Sequence, residues 1–446
     1  MRMIQVLVLL CTVLSLVVGF LFWTDGARAA DPLQGSYWDA ATARFVRERV
    51  ASTYVDRLDA PGQREAFYRA MRGYVDLDPY CDFITPERLK SWREDISGKY
   101  AGLGVRVEES ALGPRLAGVL PGGPASVAGL QVGDVLVRAA GTPLAGMALA
   151  DITPLLKGGA GTTVRLGVVR GPEGPDGLPQ GDEREIVVTR DFVRPPLLFT
   201  RRVGPEGRVA VVRLKEFAEE GAGLLDQQLD AMLKAGAKGL VLDLRGNNGG
   251  VLGVALRLAD RFLQRGLILR TEGRGDGQNK QHVANAQDND LPDLPLVVLV
   301  DGGSASASEV VAGALQDHRR ALLVGTRTYG KFLVQQITEI PSSGAAVKLT
   351  TSRYYTPSGR SYQRHAEDGG DDPAGLFPDV VVPLDEEQTT RLAKQRRDEE
   401  GAVWGMPQDY PEVAPDWVDP QLARAIQVLS GEITFSRIGR APARDG

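Results

Sequence analysis

The chain has 446 residues, 43% hydrophobic and 24% charged, with 52 Lys and Arg against 57 Asp and Glu for a net charge of −5. These proportions fit a globular chain of about three domains at roughly 150 residues each, and they exclude a disordered or fibrous one. The acidic balance and the lack of a long basic run argue against nucleic acid as a partner. Three histidines (His282, His318, His365) and two cysteines (Cys11, Cys81) give no zinc site and no disulfide framework, so no metal and no cofactor is expected.

Arg2 precedes an apolar run, Met3–Trp23, broken only by Gln5, Thr12, Ser15 and Gly19; Ala27-Arg28-Ala29 then supplies a small-x-small cleavage pattern. A run of about twenty residues is long for a signal peptide and long enough to span a bilayer. Residues 1–30 therefore read as a cleaved signal or a retained anchor. Either way the folded bulk is expected to be exported, periplasmic or tethered to the outer face of the cytoplasmic membrane.

Residues 36–98 have helical spacing. Trp38, Phe45, Val46, Val50, Tyr54, Val55 and Leu58 recur at three- and four-residue steps, Phe67, Met71, Tyr74 and Val75 continue them, and Asp78-Pro79 breaks the second helix. Residues 99–195 change character. Gly and Pro punctuate short β-branched runs (Val105–Val107, Asp134–Val137, Thr163–Leu166), with short helices at Ala125–Ala128 and Leu149–Leu156 and a turn-rich excursion over Pro172–Gly181.

Over residues 200–384 strands and helices alternate, and the runs Gly239–Leu244, Leu294–Val300 and Ala321–Val324 are apolar enough to be buried on both faces. Arg274–Asp293 reads as a polar lid or loop, and 385–446 as a helical then irregular tail. The expected fold is α/β multidomain: a helical N-terminal region, an inserted β-rich module and an α/β core.

Gly302-Gly303-Ser304-Ala305-Ser306-Ala307-Ser308-Glu309 lies between a buried strand and a helix. Hydroxyls there stand beside free backbone N–H groups, which can hold an oxyanion. Ser306-x-x-Glu309 is equally a capping box that needs no catalysis. With so few histidines the candidate base for a serine is Lys331, whose neighbours Tyr329, Phe332, Leu333 and Val334 can desolvate it. Moving an amine from ~10.4 to about 7–8 takes about 4 kcal/mol; the alternative is a solvated surface lysine. Gln335, four residues on, can reach Lys331 only across a helical turn, because in a strand it stands some 13 Å away. Asp243-Leu244-Arg245-Gly246-Asn247-Asn248-Gly249-Gly250 ends another strand, where the glycines permit close backbone approach or merely a turn.

Together these segments resemble the carboxyl-terminal processing (tail-specific) serine protease family. The likeness includes Ser304–Glu309, the run ending at Asp317, Gly330-Lys331 with Gln335, Asp243–Gly250, Arg353–Arg360 and Pro378-Asp379. Gly102-Leu103-Gly104-Val105, Pro124-Ala125, Ala128-Gly129-Leu130 and Gly133-Asp134 resemble a PDZ domain. The resemblance implies a core of the ClpP/crotonase type, with Ser306 as nucleophile, Lys331 as general base and Gln335 orienting it. It implies an oxyanion hole from the amides of Ala307 and of Gly249 or Gly250, and tail recognition at Gly102, Leu103, Gly104 and Val105. Asp317 matches an acidic position of structural character. Phe332, Asn248, Tyr80-Cys81 and the acidic insertion Arg364–Ala374 depart from the family's pattern at the substrate channel and leave the triad intact.

The implied partners are proteins or peptides with free C-termini; a homo-oligomer, an adaptor and membrane association stay open. Two other readings are a catalytically inactive PDZ-bearing scaffold, against which the joint presence of Ser306, Lys331 and Gln335 counts, and an acyl-CoA enzyme, which rests on fold analogy alone.

Overall fold

The computed structural model describes residues 44–46, 48–49 and 60–431, apart from 173, 175–178, 275–276, 286–290, 292, 365–373 and 404–416. The signal or anchor at 1–30 and the positions Trp38, Val50, Tyr54, Val55 and Leu58 lie outside the described residues, as does most of the Arg364–Ala374 insertion. Among the described residues no helix is long and apolar enough to cross a membrane. Met1–Tyr74 and Val75–Gly446 form two units. The first carries most of α1 (Ala60–Val75), which stops ahead of Asp78-Pro79 as expected.

The second unit opens with β1 (Asp82–Ile84) and α2 (Pro86–Ser97). Helix was expected throughout this stretch. Instead β1 pairs antiparallel with the strand Ala345–Tyr355, and Phe83 and Ile84 are buried. A three-residue strand is too short to show a period of two.

The β-rich module runs through β2 (Tyr100–Gly102), β3 (Val105–Glu108), β4 (Arg115–Val119), α3 (Pro124–Val127), β5 (Val135–Ala139), β6 (Thr142–Pro143), α4 (Leu149–Leu156), β7 (Thr163–Val169), β8 (Glu183–Thr189) and β9 (Asp191–Val193). Its antiparallel sheet has the order β3-β4-β5-β7-β8, with β6 on β5, so β3 is an edge strand. Leu116, Leu136, Leu144, Ile152 and Leu166 fill its interior. β2 and β9 pair where the chain enters and leaves.

The core contains β10 (Leu198–Val203), β11 (Val209–Leu214), α5 (Glu219–Lys234), β12 (Gly239–Asp243), α6 (Leu252–Asp260), β13 (Leu267–Gly273), β14 (Lys280–Val283), β15 (Leu296–Val300), α7 (Ala307–Asp317), β16 (Leu322–Gly325), β17 (Leu333–Ile340), β18 (Ala345–Tyr355) and β19 (Val380–Val381). The helices α8 (Glu386–Val403) and α9 (Pro420–Leu429) follow. The main sheet has the order β10-β11-β12-β15-β16-β19, parallel from β11 onward.

Successive side chains of a strand face opposite ways. Val212, Leu242, Val298 and Leu323 therefore pack under α5, α6 and α7 with Leu225, Leu229, Leu258 and Val311. Val211, Val241, Val297 and Val324 pack on the other face against Leu422 and Ala425 of α9. Burial on both faces explains why these strands read as continuous apolar runs. A second sheet, β1-β18-β13-β14 with β17 also on β18, stands beside the carboxyl-end turns.

Candidate active site

In parallel α/β sheets sites form beyond the carboxyl ends of the strands. Here the turns after β12, β15 and β16 are laced together. Gly246 N–H donates to Asp301 Oδ1 (2.8 Å), Ala305 N–H to the Asn247 carbonyl (3.0 Å) and Tyr329 N–H to the Ser304 carbonyl (3.0 Å).

The three serines of the β15–α7 turn separate by environment. Ser304 is fully buried; its hydroxyl donates to the Leu244 carbonyl (2.8 Å) and accepts from Asp301 N–H (3.0 Å). Ser308 is fully buried and donates to the Asn247 carbonyl (2.8 Å). Ser306 alone of the three is partly accessible, and its backbone sits at φ 55°, ψ −115°, a conformation a β-carbon disfavours. A serine raised on a strained strand-to-helix turn presents its Oγ outward.

Two buried side chains join the Ser306 backbone to that of Lys331. The Glu309 carboxylate accepts from Ser306 N–H (2.9 Å), Lys331 N–H (2.8 Å), Gly330 N–H (2.8 Å) and the Thr328 hydroxyl (2.5 Å). Burial pushes the Glu309 carboxyl above its ordinary range, against these donors, which favour the anion. The Tyr354 hydroxyl faces the carbonyls of Lys331 (2.7 Å) and Ser306 (3.0 Å), one proton shared between two acceptors. Glu309 was legible only as half of a capping box, and its carboxylate does close on the N-cap amide; its other three donors come from a distant turn. Nothing in the local pattern marked Tyr354.

Lys331 is half-buried. Burial holds its amine below the ordinary lysine range, Lys348 acts in the same direction, and Glu309 and Asp78 oppose them. Phe332, expected to desolvate it, is fully buried with its ring stacked on Tyr354 at 4.6 Å. No hydrogen bond joins Ser306 Oγ to Lys331 Nζ among the described residues; such bonds are often long before substrate binds.

Gln335 corrects the sequence reading. It lies on β17, in an extended strand and not in a helical turn, and its amide donates to the Thr350 hydroxyl (3.3 Å). Pairing with β18 along the whole of Leu333–Ile340 outweighs any local turn.

Gly249 (φ 110°) lies so close to the Ser306 turn that a β-carbon there would stand 2.9 Å from Ser306 Cβ and 3.0 Å from the Ala307 nitrogen. Its N–H donates to Asn247 Oδ1 (2.9 Å), so of the two glycines Gly250 is the one whose amide that carboxamide does not occupy. The Ala307 N–H, first in α7, has no intrahelical acceptor. Asn247, fully buried, also donates to the Leu214 carbonyl (2.9 Å) and so holds the turn in place. Beneath it, Arg245 pairs with Asp243 (2.7 Å) and Asp419 (2.8 Å). Burial alone would raise the Asp243 carboxyl, but Arg245 and Arg396 together hold it well below the usual carboxylate range. Asp317 accepts from Ser358 N–H (2.9 Å) and Arg360 (2.7 Å), at the far end of α7 from Ser306.

In the module, Gly104 has φ 74° and Leu103 is buried. The carbonyls of Leu103 and Gly104 accept from Ala125 (2.8 Å) and Leu120 (2.9 Å), so both face inward.

A model of peptidase family S41 matches residues 208–382, and a PDZ domain model matches 115–170. The chain is 34% identical over 424 residues to the carboxy-terminal-processing protease of Bartonella bacilliformis, covering 90% of this chain and 91% of that protein. The chain belongs to peptidase family S41. It is 32% identical to the chloroplastic C-terminal processing peptidase of Tetradesmus obliquus, over 77% of this chain and 75% of that one. Among solved structures, the photosystem II D1 C-terminal processing protease aligns over 77% of this chain and 87% of that one, at 30% identity and a TM-score of 0.43. This S41 chain is thus a serine-type carboxyl-terminal processing peptidase with a PDZ domain in a mixed α/β fold.

Proposed function

We infer that the chain is an exported endopeptidase in which Ser306 attacks the scissile carbonyl while the neutral Lys331 amine takes its proton. The observation that carries this reading is the double tie, through Glu309 and Tyr354, between the backbones of an accessible, strained serine and a half-buried lysine. The tetrahedral oxyanion would lie against the amides of Ala307 and Gly250. The ammonium then protonates the leaving amine, and the resulting amine activates water to hydrolyse the acyl-enzyme. Gln335 acts at one remove, through Thr350. An active-site-directed acyl probe should label the wild-type chain and fail on Ser306→Ala; equal labelling of both would reject the nucleophile.

The PDZ module is assigned the free carboxylate of a substrate tail. Support comes from inward carbonyls at Leu103 and Gly104 and from the open edge of β3, on which a peptide can add as a strand. Export rests on Met3–Trp23 and Ala27-Arg28-Ala29. A reporter fused after Asp31 should function outside the cytoplasmic membrane; function only inside would contradict it.

A further inference from the structure

Lys331 has a neighbour from outside the turns that carry the dyad. The centre of the Tyr80 ring lies 4.8 Å from Lys331 Nζ. The Asp78 carboxylate accepts from the N–H groups of Tyr80 (2.7 Å) and Cys81 (2.9 Å), a self-closed turn that aims the ring in one direction. The Tyr80 hydroxyl faces Tyr329 and Gln363, and Gln363 Oε1 accepts from Phe332 N–H (2.7 Å). The ring therefore lies against residues on both sides of Lys331. Thr350 holds the base of the same turn: its N–H donates to Cys81 Sγ (3.4 Å), and its hydroxyl lies beside Asp78 and takes the Gln335 amide.

We propose that Tyr80 is a positioning residue for the Lys331 base, a roof that fixes the amine and keeps bulk water from it. The proposal rests on Lys331 being the general base. The ring acts in two ways of opposite sign. Its face attracts an ammonium; its bulk removes water and so favours the neutral amine. The other charged groups facing Lys331 are Lys348 on β18, Glu309 on α7 and Asp78 in the turn itself, and all three remain when Tyr80 is changed.

Substitution separates the two actions. The base must be neutral to work, so kcat/KM rises with pH through the Lys331 pKa. Tyr80→Leu keeps the cover and removes the π face, which lowers that pKa and moves the rising limb down by about half a pH unit. Tyr80→Ala admits water, the dominant influence on this amine, and moves the limb up. Tyr80→Phe keeps ring and cover, so its limb stays in place. The experiment records kcat/KM against pH for the full chain, its three Tyr80 variants and Lys331→Ala on one unstructured peptide, with thermal midpoints alongside.

Limbs displaced in opposite directions by Leu and Ala support the proposal. Limbs unmoved, or moved the same way, in folded Leu and Ala variants overturn it and leave the base assignment standing. If Ala fails to fold, a Leu limb that does not descend relative to Phe overturns it. Full activity in Lys331→Ala removes the base itself, and this proposal with it.

Discussion

The core sheet and the module sheet are buried to different degrees and serve different ends. β11, β12, β15 and β16 are buried along their whole length, and Ser306 and Lys331 stand on turns beyond their ends. β3 is only partly buried and, among the described residues, unpaired along one edge. A constellation that must hold its geometry to a fraction of an ångström gains from strands that cannot shift. A strand that accepts a peptide must leave its backbone donors and acceptors open. Rigidity in one region and openness in the other mean that substitutions should divide chemistry from recognition.

The largest effect expected is in the core. Ser306→Ala and Lys331→Ala should each lower kcat by roughly four orders of magnitude or more, and the double variant should lose little further, because nucleophile and base act as a unit. Single-turnover kinetics would show this; additive losses would break the pairing. Glu309→Ala comes next. It leaves four donors facing a void and should cost at least about 3 kcal/mol in denaturant unfolding, with Glu309→Gln costing less. A stability loss below about 1 kcal/mol would mean that water replaces the carboxylate and that the tie between the turns is weak.

In the module, Gly104→Val strains a backbone at φ 74°. Cleavage of a substrate with a free C-terminus should fall about tenfold in kcat/KM, a loss of about 1.4 kcal/mol, while that of its amidated counterpart barely changes. An equal fall for both would move Gly104 from recognition to general stability. The smallest effect concerns chelation: EDTA should leave kcat unchanged, and an activity restored only by added metal would contradict a serine–lysine mechanism.

The sequence made the buried parallel strands legible because Leu296–Val300 and its neighbours are apolar throughout, and the strand–turn–helix position of Ser306 followed from them. It made the lysine legible as a residue with desolvating neighbours. Gln335 was misjudged because an i, i+4 relation has meaning only on a helix, and the ladder to β18 decided otherwise. Tyr80 stood out only as a departure from the family's pattern. Its place over Lys331, along with Tyr354 and the wider role of Glu309, stayed hidden for a different reason. Each acts across a large separation in sequence, and spacing rules carry no information about contacts made by the folded chain.

α9 covers the second face of the core sheet with Leu422 and Ala425, while its N-cap Asp419 gives Arg245 one of its two counter-ions. A helix beyond the S41-matched residues 208–382 thus forms a wall of the core's interior. Loss of Gln421–Leu429 would uncover Val211, Val241, Val297 and Val324 and take from Arg245 the Gln421 carboxamide that accepts from it (2.8 Å) beneath the Gly246–Gly250 turn. Cover of the sheet and support of that turn would then fail together, because one helix supplies both.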